Sequence, residues 1–489
     1  MDFSIVARAQ AQQRLADLGG QLQRQVYIET MGCQMNVYDS ERMAEVLRAD
    51  GYVRTEDVQL ADLVLINTCS IRDRVEHKVS SMLGVLKKLK EFNPDLVLGV
   101  TGCVAQQQGE QLLAKVPHLD LVLGPDRIAQ LPELVRKARE EQHRSSAVAF
   151  MPRKAYTFPE VSAPEDGRVS SFVTIMKGCN KVCSFCIVPF TRGREVSKPS
   201  ADVLAELKVL ADAGVREVTL LGQNVNSYGK DCVDRDGNKG ELDFAELLAA
   251  VSELPGIERI RFTTSHPMDC TDGLIDAFGQ LAKLMPFFHL PIQSGSVAVL
   301  RAMRRHHGVD DYLEKIERLR MVRPDLALST DIIVGFPGET ERDFQDTLEL
   351  LQKVKYASIY SFVYSARPGT KAAELVDDVS LDEKRRRIQA VQTVQDQISQ
   401  DWMRAQVGTV QPVLFEGPSR LHDLGPNSLL AGRQEEMPQL VGRTPHNAKV
   451  HVPMRKIDDL VTLKGQIRAV HLDHAHAHSL SGTVVETVP

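Results

Sequence analysis

The chain has 489 residues, of which 43% are apolar and 25% are charged, and its formal net charge is −6. This length allows several domains, each with its own core. The slightly acidic balance excludes a uniformly basic nucleic-acid coat but permits a local basic groove. No stretch approaches the ~18 consecutive apolar residues of a transmembrane helix. Because the N-terminal segment also lacks the apolar core of a secretory signal, we expect a cytoplasmic protein without a membrane partner.

Eight cysteines occur in this chain. In a reducing compartment, metal binding or catalysis is a better explanation for them than disulfides. Six cysteines form two patterned groups, Cys33, Cys69 and Cys103 in the first and Cys179, Cys183 and Cys186 in the second. We interpret Cys232 and Cys270 as ordinary thiols.

Each cysteine of the first group ends a short apolar run, in VYIETMGC, LVLINTC and LVLGVTGC, and a helical pattern follows. Repeated strand–turn–helix units predict a parallel α/β sheet. Neighbouring strands of such a sheet lie ~4.8 Å apart, and their carboxyl ends share one edge. Three thiols at three such ends would converge, which suits an iron–sulfur cluster with three thiolate ligands. The alternative is three buried core thiols, since free Cys packs like a small apolar residue.

The second group has the compact spacing C-x3-C-x2-C, in GCNKVCSFC. Iron–sulfur cubes usually bind four cysteines, so three would leave one iron open for a substrate or cofactor. A zinc site is an alternative, but it needs a fourth Cys or His nearby. A thioredoxin-like Cys183-x-x-Cys186 pair is another, although it leaves Cys179 unexplained.

This spacing, with Phe185 before the last Cys, resembles the radical S-adenosylmethionine (SAM) enzymes. The resemblance implies that the open iron chelates the amino and carboxylate groups of SAM. Electron transfer from the reduced cluster would then cleave SAM and release a 5′-deoxyadenosyl radical that abstracts hydrogen. In such enzymes the cofactor supplies the chemistry, while the protein positions it and excludes water.

Six strand patterns with helical stretches between them follow over residues 169–375, which predicts a partial (βα)6 barrel. Active sites of such barrels lie at the carboxyl ends of the strands. The candidate SAM contacts there, together with Phe185, are Gln223, Asn224, Ser265, His266, Gln293, Arg305, Gly335 and Glu339. The GFPGE segment that ends at Glu339 resembles the family segment near the SAM adenine and ribose. The Gly-Gly-Glu that the family has after its second strand is replaced by Gly222-Gln223-Asn224.

Both cysteine groups, with GCQMNVYDSE, NTCSIRDRVEHKV, KGCNKVCSFCIVPFTRGRE and TDIIVGFPGET, make nearly the whole chain resemble the radical SAM methylthiotransferases. The resemblance implies two 4Fe-4S clusters, the first-group cluster holding the sulfur that becomes methylated. One SAM would methylate this sulfur and a second would generate the radical. The implied substrate is the dimethylallyl-adenosine directly 3′ of the tRNA anticodon, which receives a methylthio group at carbon 2.

Three alternatives remain open at this stage. Related branches act on threonylcarbamoyl-adenosine in tRNA or on an aspartate of a ribosomal protein. A non-enzymatic reading is an RNA-binding iron–sulfur sensor. The enzyme readings require an electron donor and a sulfur donor, which the sequence does not name.

The predicted fold class is α/β for the first two domains, and a small β domain follows them. It comprises a cluster domain over 24–142, a linker over 143–168, a radical SAM barrel over 169–400 and a β domain over 403–473, with a possible strand extension to 486. The last domain is predicted as a small β-barrel. It resembles the TRAM domain of RNA-modifying enzymes, with Arg443, Asn447 and Lys449 as RNA contacts. We expect a monomer.

Three other clusters have both a structural and a functional interpretation. The basic run Lys384–Arg387 and the group from Arg301 to His307 are either solvated surfaces or sites for phosphate or the SAM carboxylate. The alternating His474, His476 and His478 predict one strand face, exposed to solvent or bound to a metal.

Overall fold

A computed structural model describes residues 23–70, 73–152, 156–158, 161–164, 166–230, 242–419, 439–454 and 461–485. The chain divides into two compact units. The first contains residues up to Ser162 together with Lys177–Lys181 and Cys186–Val196, and the second contains the remainder. Cys232 lies outside the described residues.

The first unit is built on a six-stranded sheet in the order β2-β1-β3-β4-β5-β6, with all pairs parallel. Its strands are β1 (Arg24–Thr30), β2 (Tyr52–Arg54), β3 (Leu63–Thr68), β4 (Val97–Thr101), β5 (Leu121–Leu123) and β6 (Ser145–Ala147). Its helices are Gln34–Ala49, Asp73–Phe92, Gly102–Gln108, Glu110–Lys115, Leu131–Glu140 and Val188–Thr191, with 3-10 turns at Val58–Leu60 and Pro125–Gln130.

Strand β3 lies in the middle of this sheet and is buried along its whole length. Leu63 and Leu65 pack into the core on one face, while Val64 and Ile66 pack into the core on the other. A near-continuous apolar strand is expected where helices cover both faces of a parallel sheet. The α/β sheet predicted from the cysteine-ending strands is confirmed.

Two edge strands had no sequence prediction. Strand β6 falls inside the segment interpreted as a linker and pairs with β5 in parallel. Its sequence Ser-Ser-Ala has no apolar periodicity, so only the pairing partner defines it as a strand. Strand β2 is similarly short, and only Tyr52 of its three residues is buried.

The second unit contains six parallel strands in two three-stranded sheets, ordered β11-β10-β7 and β12-β13-β14. They are β7 (Ser170–Thr174), β10 (Glu217–Leu221), β11 (Arg259–Thr263), β12 (Phe287–His289), β13 (Ala327–Val334) and β14 (Ser358–Val363). A two-stranded ribbon of β8 (Met176–Lys177) and β9 (Val196–Ser197) accompanies them. All six strands of the predicted partial barrel are thus present.

Helices separate these strands along the chain. They are Ser200–Asp212, Phe244–Ser252, Asp272–Gln280, Val297–Ala302, Val309–Val322, Glu341–Val354 and Leu381–Arg404, with 3-10 turns at Val225–Ser227, Pro267–Asp269 and Lys371–Glu374. In the part of the chain that is described, no helix combines the length and apolar character that crossing a membrane requires.

A closed five-stranded barrel, ordered β15-β16-β17-β19-β18, follows within the second unit. Its strands are β15 (Val410–Pro418), β16 (Gln439–Arg443), β17 (Lys449–Pro453), β18 (Ile467–Ala475) and β19 (Leu480–Val484). Its interior includes Val413, Phe415, Val450 and Leu472, all fully buried. The predicted small β-barrel is therefore confirmed.

The predicted histidine face is wrong. Strand β18 ends at Ala475, and the amide of His476 donates to the carbonyl of Ser479 in the following turn. His474 is exposed on the strand, next to a register shift, whereas His476 and His478 belong to the turn. The period-2 rule fails here because the strand ends before the alternation does.

Candidate metal centres

The first cysteine group lies at the carboxyl ends of β1, β3 and β4, which are neighbours in the sheet. Cys33 precedes the helix Gln34–Ala49, Cys69 directly follows β3, and Cys103 is the second residue of the helix after β4. A hydrogen bond with Cys69 lowers the pKa of Cys33 to about 6, although burial opposes the shift. The thiolate is the form that binds metal, so the direction of this shift favours metal binding at Cys33.

Two glycines allow these turns. Gly32 has φ of +122°, and a Cβ there would clash with the Cβ of Cys69 and lie 3.1 Å from its Sγ. Gly102 has φ of +87°, and a Cβ there would lie 2.5 Å from Oδ1 of Asn67. Only glycine tolerates both the left-handed backbone and this close approach.

Two buried asparagines and Thr68 together connect the three strand ends. Asn36 Nδ2 donates to the carbonyls of Met31 and Thr68, at 3.1 and 2.8 Å. Asn67 Nδ2 donates to the carbonyl of Asn36 at 2.8 Å. The hydroxyl of Thr68 donates to the carbonyl of Thr101 and accepts from the amide of Val104. A network of this kind fixes the backbone that carries the thiols, since unpaired buried polar groups are costly.

Arg192 is the cation beside this group. Its guanidinium forms an ion pair with Asp39, Nη1 to Oδ2 at 2.7 Å, and its Nη2 donates to Oδ1 of Asn36 at 3.3 Å. It also contacts the Cys103 thiol. Although burial opposes the charge, Asp39 and the thiols of Cys103 and Cys33 hold the pKa of Arg192 well above its ordinary value.

This environment fits an iron–sulfur group better than three ordinary core thiols, which would not require a buried cation. Among the described residues, no three His, Cys, Asp or Glu side chains are close enough to bind one metal ion. An iron–sulfur cube makes a different demand, because its thiolates bind separate iron corners. Soft thiolate donors are the ligands that such clusters prefer.

Backbone contacts order the second cysteine group. In the first unit, the amide of Cys179 donates to the carbonyl of Gly193 at 3.1 Å, and the amide of Lys181 donates to Sγ of Cys179 at 3.4 Å. In the second unit, Arg305 Nη1 donates to Sγ of Cys183 at 3.5 Å. Hydrogen bonds to sulfur are one of the means by which proteins tune cluster potentials. No disulfide joins the described cysteines of the two groups or Cys270.

Phe185, the aromatic residue of the motif, is half-buried. It packs against an apolar cluster made of Val299, Met303, Ile333, Phe336, Tyr364 and Ala372. Phe336 belongs to the GFPGE segment, so Phe185 connects the cysteine loop with the turn after β13.

The polar candidates lie at strand ends in the second unit. Asn224 Nδ2 donates to Oδ2 of Asp269 at 2.8 Å. The backbone amide and carbonyl of His266 both bond the side chain of Asn226, each at 2.9 Å. The amide of Gln293 donates to the carbonyl of Asp331 at 2.9 Å.

Backbone strain is concentrated near these candidates. Thr264, Gln293, Arg304 and His306 are non-glycine residues with φ between +56° and +84°. Thr264 directly precedes Ser265, and Gln293 is itself a candidate. Arg304 and His306 lie on either side of Arg305. Strained residues of this kind cluster at functional sites, where the surrounding structure maintains them.

Glu339 orders the turn after β13. Its Oε2 accepts from the amide of Gly335 at 2.5 Å and from Arg387 Nη1 at 2.8 Å. Its Oε1 and the hydroxyl of Ser265 are buried without a hydrogen-bond partner in the described structure. Buried polar atoms without partners indicate sites where a ligand supplies the missing bond.

The remaining basic clusters have structural partners. In the run of four, Lys384 and Arg387 are buried and pair with Asp377 and Glu339. In the second cluster, Arg305 is buried, whereas Arg301, Arg304 and His306 are exposed. Burial lowers the pKa of His307 to about 4, so its imidazole is neutral at physiological pH.

The proposed RNA contacts of the β-barrel are partly occupied within the protein. Arg443 pairs with Glu416 at 2.8 Å and donates to Oδ1 of Asn447 at 3.2 Å. The carbonyl of Arg443 accepts from Arg259 at 2.8 Å. Lys449 is exposed.

Sequence reasoning missed Arg192, Asp39 and Asn36. Asn36 lies one helical turn after Cys33, and that spacing was an available signal. The pairing of Arg192 with Asp39 spans most of the first unit and has no local pattern.

Comparison with known proteins places this geometry in a class. Residues 25–124 match the Uncharacterized protein family UPF0004, and residues 173–351 match the Radical SAM superfamily. A solved structure of the radical SAM methyltransferase TsrM from Kitasatospora setae, with cobalamin and a [4Fe-4S] cluster bound, shares the fold with a TM-score of 0.53. It is 11% identical, over 80% of this chain and 81% of that one. The chain is thus a radical SAM protein.

Closer relatives identify the branch. The tRNA-2-methylthio-N(6)-dimethylallyladenosine synthase of Bordetella pertussis is 46% identical over 94% of this chain and 98% of its own length. The protein of that name from Geotalea uraniireducens is 48% identical over the same shares. The chain belongs to the tRNA-2-methylthio-N(6)-dimethylallyladenosine synthase family. The methylthiotransferase resemblance inferred from the motifs is confirmed.

Proposed function

We propose that this protein is a tRNA methylthiotransferase. It replaces the hydrogen at carbon 2 of the dimethylallyl-adenosine directly 3′ of the anticodon with a methylthio group. The convergence of Cys33, Cys69 and Cys103 at one sheet edge, in a chain that also carries the radical SAM cysteines, is the observation that supports this most strongly. A radical SAM enzyme that only abstracts hydrogen has no need of a second thiolate group.

The chain binds two 4Fe-4S clusters, one through each cysteine group. The clusters supply electron transfer to SAM and a place to hold sulfur. The first unit contributes a rigid thiolate edge, which Gly32, Gly102 and the asparagine network shape. Fixed positions of this kind reduce the entropic cost of bringing reacting groups together.

SAM binds at the strand ends of the second unit. The proposed contacts are Phe185, Gln223, Asn224, Ser265, His266, Gln293, Arg305, Gly335 and Glu339. Glu339 Oε1 and the Ser265 hydroxyl, both buried without a partner, would accept or donate hydrogen bonds to polar groups of SAM. Arg305 already donates to Cys183, so it would orient the cysteine loop rather than only bind the SAM carboxylate.

The tRNA is the proposed macromolecular substrate, and the TRAM-like barrel over 403–473 would contribute backbone contacts through exposed residues such as Lys449 and Arg468. Electrostatic contacts to phosphates are sequence-independent and position the substrate. The proposal requires an electron donor and a sulfur donor from the cell. It places the enzyme in the cytoplasm as a monomer.

Mass spectrometry of tRNA nucleosides tests this function. A deletion strain is complemented with the native chain, with Cys33, Cys69 and Cys103 changed to Ala, or with Cys179, Cys183 and Cys186 changed to Ala. We expect the 2-methylthio derivative of dimethylallyl-adenosine only with the native chain. Cys270→Ala, which removes a buried thiol outside both groups, is the matched control and should retain the product.

Two further readouts separate the alternatives. The purified first-group variant should still cleave SAM to 5′-deoxyadenosine, whereas the second-group variant should not. Product in the second-group variant would refute the radical mechanism. If the deletion strain instead lacks the methylthio derivative of threonylcarbamoyl-adenosine, the substrate is that of the related tRNA branch.

A further inference from the structure

We propose that Arg192 is a positioning residue for the iron–sulfur group of Cys33, Cys69 and Cys103, and that its buried charge raises the reduction potential of that group. This inference rests on the proposed function. It concerns a residue outside the cysteine motifs, six positions after Cys186.

The geometry supports this role because Arg192 contacts both an acidic partner, Asp39, and the thiol of Cys103. Arg192 Nη1 pairs with Oδ2 of Asp39 at 2.7 Å, and its Nη2 donates to Oδ1 of Asn36 at 3.3 Å. The guanidinium also contacts Cys103. Cys33 in turn donates to Asn36 Oδ1 at 3.4 Å. The Arg192 side chain is 7% exposed, so water screens its charge only weakly.

Asp39 does not cancel this charge at the cluster. The carboxylate lies in the helix Gln34–Ala49, with its ion pair on Nη1, and the next acidic neighbour, Asp126, is paired with Lys177 at 2.5 Å. Because Arg192 contacts the Cys103 thiol directly, whereas Asp39 contacts the guanidinium, the cation is the charge nearer to that thiol.

Reduction adds one negative charge to an iron–sulfur group. A nearby cation stabilises the reduced form, so its loss makes reduction harder, and the loss of a nearby anion makes it easier. Neutralising Arg192 and neutralising Asp39, the two partners of one ion pair, should therefore shift the reduction potential in opposite directions. General loosening of the structure would not produce shifts of opposite sign.

Arginine suits this place better than lysine. Its planar guanidinium presents five donors in a rigid fork, so it bonds a carboxylate, an amide oxygen and a thiolate at once. A lysine ammonium keeps the charge but lacks this geometry. We expect Arg192→Lys to keep the midpoint potential of the iron–sulfur group close to that of the parent protein, but to hold the group less rigidly.

The test uses the full chain with Cys179, Cys183 and Cys186 changed to Ala, so that only the first group binds iron. After anaerobic reconstitution, the midpoint potential is measured by redox titration followed by electron paramagnetic resonance. We expect a negative shift for Arg192→Gln and a positive shift for Asp39→Asn. Arg194→Gln removes an exposed arginine from the same loop and should leave the potential unchanged.

Shifts of the same sign, or no shift, for Arg192→Gln and Asp39→Asn would overturn the proposal. If Arg192→Gln does not retain iron, two other variants decide the question. Asp39→Asn must then shift the midpoint potential in the positive direction, and Arg192→Lys must keep it near the value of the parent variant; any other result overturns the proposal. A parent variant that binds no iron at all would instead contradict the proposed function, since Cys33, Cys69 and Cys103 would then hold no cluster.

Discussion

At the scale of single residues, the first thiolate site depends on positions that carry no reactive group. Gly32 makes room for Cys69, and Asn36 connects the ends of β1 and β3. The cysteines provide the donors, but these neighbours decide whether the donors face a common point.

Gly32→Ala should prevent assembly of the first cluster. The new Cβ would clash with Cys69, and the backbone at this position has φ of +122°. The turn must therefore shift and move the thiols. We expect iron to fall from about eight to about four per chain after anaerobic reconstitution. Chemical iron analysis measures this directly.

Gly51→Ala is the matched control for backbone strain. Gly51 has φ of +85° in the same unit, but a Cβ there would meet no atom within 4 Å. It should lose some stability and keep its iron. Equal iron in both alanine variants would show that space beside Cys69 does not limit cluster assembly.

Single residues also show which parts of the first thiolate site can be predicted from the sequence. Cys33, Cys69 and Cys103 were predicted to converge because each follows a local strand pattern, and parallel topology brings strand ends together. Arg192 was not predicted, because its pairing with Asp39 depends on tertiary folding across 153 residues, the difference between 192 and 39. Local patterns contain no information about such a contact.

At the scale of elements, the helix Leu381–Arg404 explains what a basic run can mean. Lys384 and Arg387 lie on the same helical face, three residues apart, and both are buried. Arg385 and Arg386 lie on the exposed side and pair with Asp382 and Glu383. Because an α-helix has 3.6 residues per turn, two residues of the basic run face the protein interior and the other two face solvent.

Arg387→Met should therefore destabilise the protein far more than Arg385→Met. The first change leaves Glu339, whose side chain has no exposed surface, as a buried charge without its cation. Breaking such a pair costs about 3–5 kcal/mol, whereas an exposed pair contributes less than about 1 kcal/mol. Urea unfolding followed by circular dichroism measures both. Similar midpoints for the two variants would mean that the Glu339 pair is not structural.

Elements were predicted well where their apolar pattern was strong. All six barrel strands matched their apolar runs. Strand β6 and the end of β18 were missed, because edge pairing and a turn determine them rather than side-chain periodicity. Such features follow from neighbours in space, which the sequence does not order.

At the scale of the whole molecule, buried arginines of β11 attach the C-terminal barrel to the parallel strands of the same unit. Arg261 Nη1 and Nη2 donate to the carbonyls of Pro445 and Thr444, at 2.8 and 2.9 Å. Arg261 Nε lies 3.0 Å from Glu217 Oε2. Arg259 adds bonds to the carbonyls of Arg443 and Pro412. A domain joined only by a flexible tether would not bury these charges.

Arg261→Met should therefore destabilise the second unit and separate the unfolding of the C-terminal barrel from that of the strands β10 and β11. The change leaves Glu217 and two carbonyls buried with fewer partners, at a cost of about 3–5 kcal/mol. Trp402, the only tryptophan of the chain, packs against the core of the C-terminal barrel, so its fluorescence reports on that barrel. In urea, we expect the fluorescence transition to move below the circular dichroism transition in this variant. Arg468→Met, an exposed change on β18, should shift neither. Unchanged transitions in Arg261→Met would show that the barrel is held by its apolar contacts alone.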